Sequence, residues 1–238
     1  GLLISLPFSS ADAEDKYIRL TSADYPPYYG RDLPDNGPVS MIIRAAFDQV
    51  GYQVDIQFFP WKRAETLART CEVDGMFPPW DKPERRVWGL FSNPVPPSNI
   101  VGFYKRRGDE IILKSYAQNI VVGGVRGYAY PQRFIDSYIP LQYANSDLQN
   151  LKKLLFRRVD LILIDRTQAT YLINTNLDEA DRDTLVWVDP PLQVNEQHLV
   201  ICKRTENAYQ IIQDFNKGLD ELLKQGVVDH ILKQAQLY

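Results

Sequence analysis

The sequence is short of the features that mark nucleic-acid binders, membrane proteins and disulfide-framed scaffolds. Lysine and arginine total 27 against 30 aspartates and glutamates, a formal net charge of -3. With no basic excess for a phosphate backbone to engage, nucleic acid is not an expected partner. No run approaches the ~20 consecutive apolar residues of a membrane span. Only two cysteines occur, Cys71 and Cys202, too few for a disulfide framework or a zinc motif. The expectation is two separate thiols, although an oxidising compartment would permit them to pair. Two histidines, His198 and His230, are expected in surface or structural roles. There is no Gly-x-Ser-x-Gly elbow, His-Glu-x-x-His pair or Walker lysine, and "GGVRG" (123–127) lacks the spacing of a dinucleotide fingerprint. No catalytic residue, metal or cofactor is therefore expected, and the chain reads as a non-enzyme.

What is present is ordinary globular composition with a surplus of rings. Of 238 residues, 45% are hydrophobic and 24% charged, enough for one large domain or two small ones. Aromatics make up 12%, with 14 Tyr and 4 Trp, and many sit beside prolines in apparent loops. At the N-terminus, Leu2 to Phe8 is apolar and leads to Ala11-Asp12-Ala13. This reads as the end of a secretory signal with cleavage after Ala13, so residues 1–16 are expected to be a signal remnant or tail and the protein to be exported.

Beyond it, strands and helices alternate. "YIRLTSA" (17–23), "VDIQFF" (54–59) and 73–77 read as strands, with helices over 39–50 and 61–70. The pattern restarts with a strand at 119–125, helices at 131–138 and 149–157, and the apolar strand "VDLILID" (159–165). Two helices, 209–223 and 227–235, close the chain. "SNIVGFYKR" (98–106) and "QHLVICKR" (197–204) each read as an apolar strand ending in bases, as two interlobe crossings would be. The expectation is α/β: two Rossmann-like lobes joined by a two-strand hinge. Lobe 1 would span 17–100, lobe 2 101–199, and 200–238 would return to lobe 1. The cleft between lobes, at the strand ends, is the expected ligand site.

Candidate binding residues cluster at those strand ends. "SADYPPYYG" (22–30) offers Tyr25 and Tyr28, flat faces with polar tips; packing on the lobe would account for them equally well. Trp61 opens the second helix. "FPPWDKPERR" (77–86) adds Trp80 and two arginines, Arg85 and Arg86, whose planar forks suit a carboxylate. Across the cleft Asp165 ends its strand and would suit an ammonium group. Solvated charges at strand ends would explain the same residues.

These residues carry a likeness. The chain resembles the periplasmic solute-binding proteins of family 3, receptors for polar amino acids in ABC importers, from about Tyr17 onward. "TSADYPPY", "VDGMFPPWDKPERRVWGLFSNP", "VVGGVRGYAY", "DLILID" and the closing "LVICKRTENAYQIIQDFNKGLDELLKQGVVDHILKQ" each match part of the family pattern. The resemblance implies the type 2 periplasmic-binding-protein fold, hinge closure on a ligand, and a periplasmic, monomeric receptor for a small carboxylate-bearing solute. Counting back from Phe91-Ser92, it implies Arg85 rather than Arg86 as the carboxylate clamp, with Asp165 completing the site. Tyr25, Tyr28, Trp61 and Trp80 would form its walls, and Tyr128 and the amides near Gly127, opening a helix, would add donors. The implied partner is an ABC permease; a sensor protein that reads ligand state is the alternative, and an enzyme on the same scaffold a lesser one. The family's hydroxyl positions here hold Pro78, Trp80, Lys82 and Ala129, which removes polar partners and adds aromatic surface.

Overall fold

The computed structural model describes residues 16–111 and 119–237; the expected signal remnant lies outside the described residues apart from Lys16. The first unit runs β1 (Lys16–Ser22), α1 (Pro38–Asp48), β2 (Tyr52–Phe58), α2 (Trp61–Arg69), β3 (Gly75–Met76) and α3 (Pro83–Arg86). The second follows a long strand, β4 (Gly89–Arg106), and comprises β5 (Val122–Val125), α4 (Gln132–Ile135), β6 (Leu141–Ala144), α5 (Asp147–Leu155), β7 (Leu161–Asp165), α6 (Arg166–Asn176) and α7 (Glu179–Arg182). A second long strand, β8 (Leu185–Cys202), leads to α8 (Ala208–Lys224) and α9 (Val227–Gln234).

The strands hydrogen-bond in the order β2-β1-β3-β8-β4-β7-β5-β6. β4 and β8, 18 residues each, are shared between two five-stranded sheets. Their far ends pair Gly89 with Cys202 in lobe 1 and Arg106 with Leu185 in lobe 2, and the register shifts three times between. The two expected crossings exist but are longer than the sequence indicated. Each lobe's own strands are parallel, whereas every pairing to β4 or β8 is antiparallel. The sheets are therefore mixed, not purely parallel.

Periodicity explains the packing of lobe 1. α1 buries Val39, Ile42, Ile43, Ala46 and Phe47, a stripe at helical spacing. α8 answers with Ile211, Ile212, Phe215, Leu219 and Leu222, and the rings of Phe47 and Phe215 lie 5.0 Å apart. The helices approach closely because residue 218 is glycine: a Cβ there would sit 1.9 Å from the Ala46 carbonyl oxygen. The C-terminal helices thus return to lobe 1, in one core with β1 and α1. Lobe 2 has separate apolar cores around Leu151, Ile162 and Ile164 and around Phe103, Val122 and Leu163.

One expectation needs correction. Cys71 and Cys202 are not separate thiols; they form a disulfide, with Cα atoms 5.7 Å apart across 131 residues of sequence. The antiparallel pairing of Gly75 with Ile201 sets the end of β8 beside the turn that follows α2, a juxtaposition no local pattern carries. Within "FPPWDKPERR", Pro83 to Arg86 form one helical turn with the proline in the first position. There its missing N–H has no helical partner to lose, and its fixed φ suits the helix.

Candidate functional site

The site is built on the loops that leave the strand ends of both lobes. After β1, the chain folds so that the Tyr25 amide donates to the Tyr29 carbonyl at 2.8 Å, which stacks the Tyr25 ring on Tyr28 and Tyr29 at 5.9 and 5.7 Å. After β3, the Pro-rich loop carries Trp80, whose backbone bridges Gln197 of β8. The turn α3 then brings Arg85 inward and leaves Arg86 outside. The Arg85 residue is 6% exposed, whereas the Arg86 side chain is 61% exposed and paired with Asp81.

Between the lobes lies a narrow cavity of about 60 Å³, smaller than an open small-molecule site of roughly 300–1,000 Å³. Its walls are aromatic: Tyr25, Tyr29, Trp61 and Trp80 from lobe 1 and Tyr128 from lobe 2. Arg85, Asp24 and Asn99 supply the polar groups, and Pro78 and Ala129 stand where the resemblance would place hydroxyls. Tyr25 and Tyr128 meet across the cleft with ring centroids 6.1 Å apart.

Arg85 is held before any ligand arrives. Its Nε donates to Glu65 Oε1 at 2.7 Å and its Nη1 to the Trp80 carbonyl at 2.9 Å. Its guanidinium lies 5.5 Å from the Trp61 ring centroid, within cation–π range. Among the described residues its Nη2 has no protein acceptor. The indole N–H of Trp80 donates to Asn99 Oδ1 at 2.8 Å, and Asn99 Nδ2 is buried without a partner.

Five of the eight sequence-derived candidates line the cavity: Arg85, Tyr25, Trp61, Trp80 and Tyr128. Three are elsewhere. Asp165 is 1% exposed and caps α6, its Oδ1 accepting from the Gln168 amide at 2.8 Å and from the Tyr28 hydroxyl at 2.9 Å. Its Oδ2 accepts from the Ile100 amide at 2.9 Å. Both oxygens are engaged, and the Tyr28 hydroxyl ties the acid to lobe 1. Tyr28 is correspondingly buried and lies off the cavity lining. Gly127 adopts φ +83° in a turn closed by the Tyr128 amide donating to Val125. No helix opens there, because α4 starts only at Gln132, so the expected helix N-terminus is not at that point.

Burial dominates the electrostatics. It pushes the hydroxyls of Tyr25 and Tyr128 well above the usual tyrosine pKa, reinforced by the nearby carboxylates of Asp165 and Asp147 for Tyr25 and of Asp147 for Tyr128. Both rings stay neutral at physiological pH. Asp147, the first residue of α5, is pushed up to about 7, chiefly by burial, against the opposing effect of a hydrogen bond with Tyr128. Sequence reasoning missed Tyr29, Asn99 and Asp147. Tyr29 was legible as part of the same aromatic loop, whereas Asn99 and Asp147 carry no sequence signal, since their importance comes from burial.

The histidines keep away from this constellation. His198 is buried with Nδ1 2.9 Å from the Ser92 carbonyl, and its ring lies edge-on to Phe91; His230 is exposed on α9. Among the described residues no group of three or more His, Cys, Asp or Glu is placed to hold a metal ion, and no helix is long and apolar enough to cross a membrane.

No family model matches the chain, and no curated protein matches its sequence significantly. Solved structures do match. The GluR0 ligand-binding core from Nostoc punctiforme in complex with L-glutamate is 14% identical, with a TM-score of 0.75 over 93% of this chain and 100% of that one. A histidine kinase sensor domain with similarity to periplasmic binding proteins is 17% identical, TM-score 0.74, over 92% and 95%. An ancestral arginine-binding protein bound to arginine is 18% identical, TM-score 0.74, over 92% and 97%. At such identities the likeness shows the fold: two α/β lobes sharing two long strands, the type 2 periplasmic-binding-protein fold.

Proposed function

We propose that this protein is an exported receptor that captures a small solute in its interlobe cleft and delivers it to an ABC importer. The observation that carries this reading is the aromatic cavity itself. It is enclosed by both lobes and contains one buried, preoriented arginine with a free Nη2. A preoriented guanidinium binds a carboxylate or carbonyl oxygen with little ordering cost. The rings of Tyr25, Trp61, Trp80 and Tyr128 suit the apolar body of the solute. Glu65 already offsets part of the Arg85 charge, so the site suits a zwitterion or an amphipathic carboxylate better than a polyanion. Asp165 and Tyr28 act here as the bond that joins the closed lobes, a revision of the expected ligand-binding roles.

The Cys71–Cys202 disulfide supports export, because such bonds persist in oxidising compartments. Amino-acid transporter binding proteins among the structural neighbours support the importer as partner. The histidine kinase sensor domain is matched equally well in fold and supports the alternative, in which the closed form is read by a signalling protein. The reading is tested by a thermal-shift screen of amino acids, small carboxylates, amines and short peptides. A binder at ~100 times its Kd stabilises by about 2.7 kcal/mol. A screen without any shift, or a hit recovered chemically altered, contradicts a binding receptor.

A further inference from the structure

A groove of about 520 Å³ lies on lobe 2 and shares no lining residue with the interlobe cavity. Three parts of the chain build it. The turn after β5 supplies Arg126, β6 supplies Tyr143, and the end of α5 supplies Lys152, Lys153, Phe156 and Arg158. No acid lines it among the described residues, in a chain whose acids outnumber its bases by 30 to 27. None of the four cations belongs to an ion pair among the described residues. The rings are as unusual as the charges: Phe156 is 67% exposed and Tyr143 47%, and β6 is the edge strand of its sheet.

α5 ends in a Schellman turn. Arg157 adopts φ +58°, its amide donates to the Leu154 carbonyl at 3.2 Å, and the Arg158 amide donates to the Lys153 carbonyl at 2.8 Å. Such turns often carry an apolar contact between the two residues that stand here as Lys153 and Arg158. Two like charges meet instead, and the Lys153 ammonium is held below its usual pKa by burial and by Arg158. The α5 dipole accounts for Lys152 and Lys153 in the last turn. It does not account for Arg126, which comes from another element, or for two exposed rings among cations. Features that cost stability without a return in the folded chain mark a binding surface.

We propose that this groove is a docking site for an acidic segment of a partner protein, in which aspartate or glutamate alternates with apolar residues. The carboxylates pair with the guanidinium forks of Arg126 and Arg158 and with the ammonium of Lys152, while the apolar side chains cover Tyr143 and Phe156. Aromatic and arginine side chains are what protein interfaces enrich. A concave groove walled by rings suits an inserted segment better than a flat bilayer face, and the chain's net negative charge disfavours nucleic acid. The docking site goes beyond the solute-binding reading and holds whichever solute is captured.

The test measures, by fluorescence anisotropy, the binding of a short labelled peptide that alternates glutamate pairs with tyrosine. Its glutamine counterpart and phosphatidylglycerol vesicles are the comparison probes. Wild type is expected to bind the acidic peptide, to ignore the glutamine one, and to weaken as salt screens the charges. The triple variant Arg126→Glu, Lys152→Glu, Arg158→Glu is expected to lose tenfold or more, and Phe156→Ala about fivefold. All four positions are exposed, and the unfolding midpoint shows that each variant folds. Thermal shifts with hits from the solute screen are expected to be unchanged in both variants. No binding of the acidic peptide, equal binding by the folded triple variant, or a Phe156→Ala variant that binds like wild type overturns the docking site. So does tighter binding to the vesicles than to the peptide, which would make the groove a membrane-facing patch. If the peptide behaves as expected while no solute gives a shift, the docking site stands and the receptor reading falls.

Discussion

Asp147 and Asp165 are both buried acids of lobe 2, but their surroundings assign them different work. Asp165 receives three hydrogen bonds, whereas Asp147 Oδ2 has none. Burial raises the Asp147 pKa to about 7 from 3.8. A raised carboxyl pKa means that the folded state binds the proton more tightly than the unfolded one. Stability is then greatest at low pH, falls as pH rises from about 4 to 7, and levels off above. The loss amounts to about 4 kcal/mol at most by neutral pH. Asp147→Asn is expected to remove that slope and to be the more stable protein at pH 8, as urea unfolding at pH 5 and pH 8 would show. Identical slopes for variant and wild type would contradict this account of Asp147.

At the scale of elements, the helices and the apolar strand were the legible part. The stripe Val39, Ile42, Ile43, Ala46, Phe47 places α1 from sequence alone, and the run ending at Asp165 places β7. β6, α6 and α7 were not anticipated. β6 has four residues with only Ala144 buried, and α6 has buried positions only at Gln168, Ala169, Leu172 and Ile173, so neither presents a strong apolar period. The disulfide and the close approach of α1 to α8 depend on tertiary contacts and leave no periodic trace. In the site, Arg85 was distinguishable from Arg86 only through the resemblance. The true setting of Asp165 and Tyr28 was illegible because each satisfies the other across 137 residues. Gly218 makes a sharper prediction. Gly218→Ala sets a methyl 1.9 Å from the Ala46 carbonyl oxygen, forcing α1 and α8 apart. A loss of about 1–3 kcal/mol is expected despite alanine's better helix propensity, measured as a lower urea midpoint. A stabilised variant would show that the helices can separate freely.

For the whole molecule, the Tyr28–Asp165 hydrogen bond, the Tyr25–Tyr128 ring contact and the packing of Trp80 against the lobe 2 core all cross the cleft. They describe a closed arrangement hinged on β4 and β8, and closure of this kind is a rigid-body rotation about a few strand residues. Tyr28→Phe removes one interlobe bond and leaves a buried carboxylate oxygen with one partner fewer. The expected result is a larger radius of gyration in small-angle scattering without ligand, together with weaker binding. An unchanged radius and affinity would show that this bond does not govern closure.

The central claim is that Arg85, preoriented by Glu65 and Trp80, clamps the carboxylate or carbonyl end of a captured solute. Calorimetric titration of a hit from the solute screen into wild type and Arg85→Ala tests it most directly. The account predicts one site per chain in wild type and a loss of about 30-fold or more in the variant, the effect of removing one partner of a buried charged hydrogen bond. Equal affinity in the two proteins, with the variant folded, would contradict it.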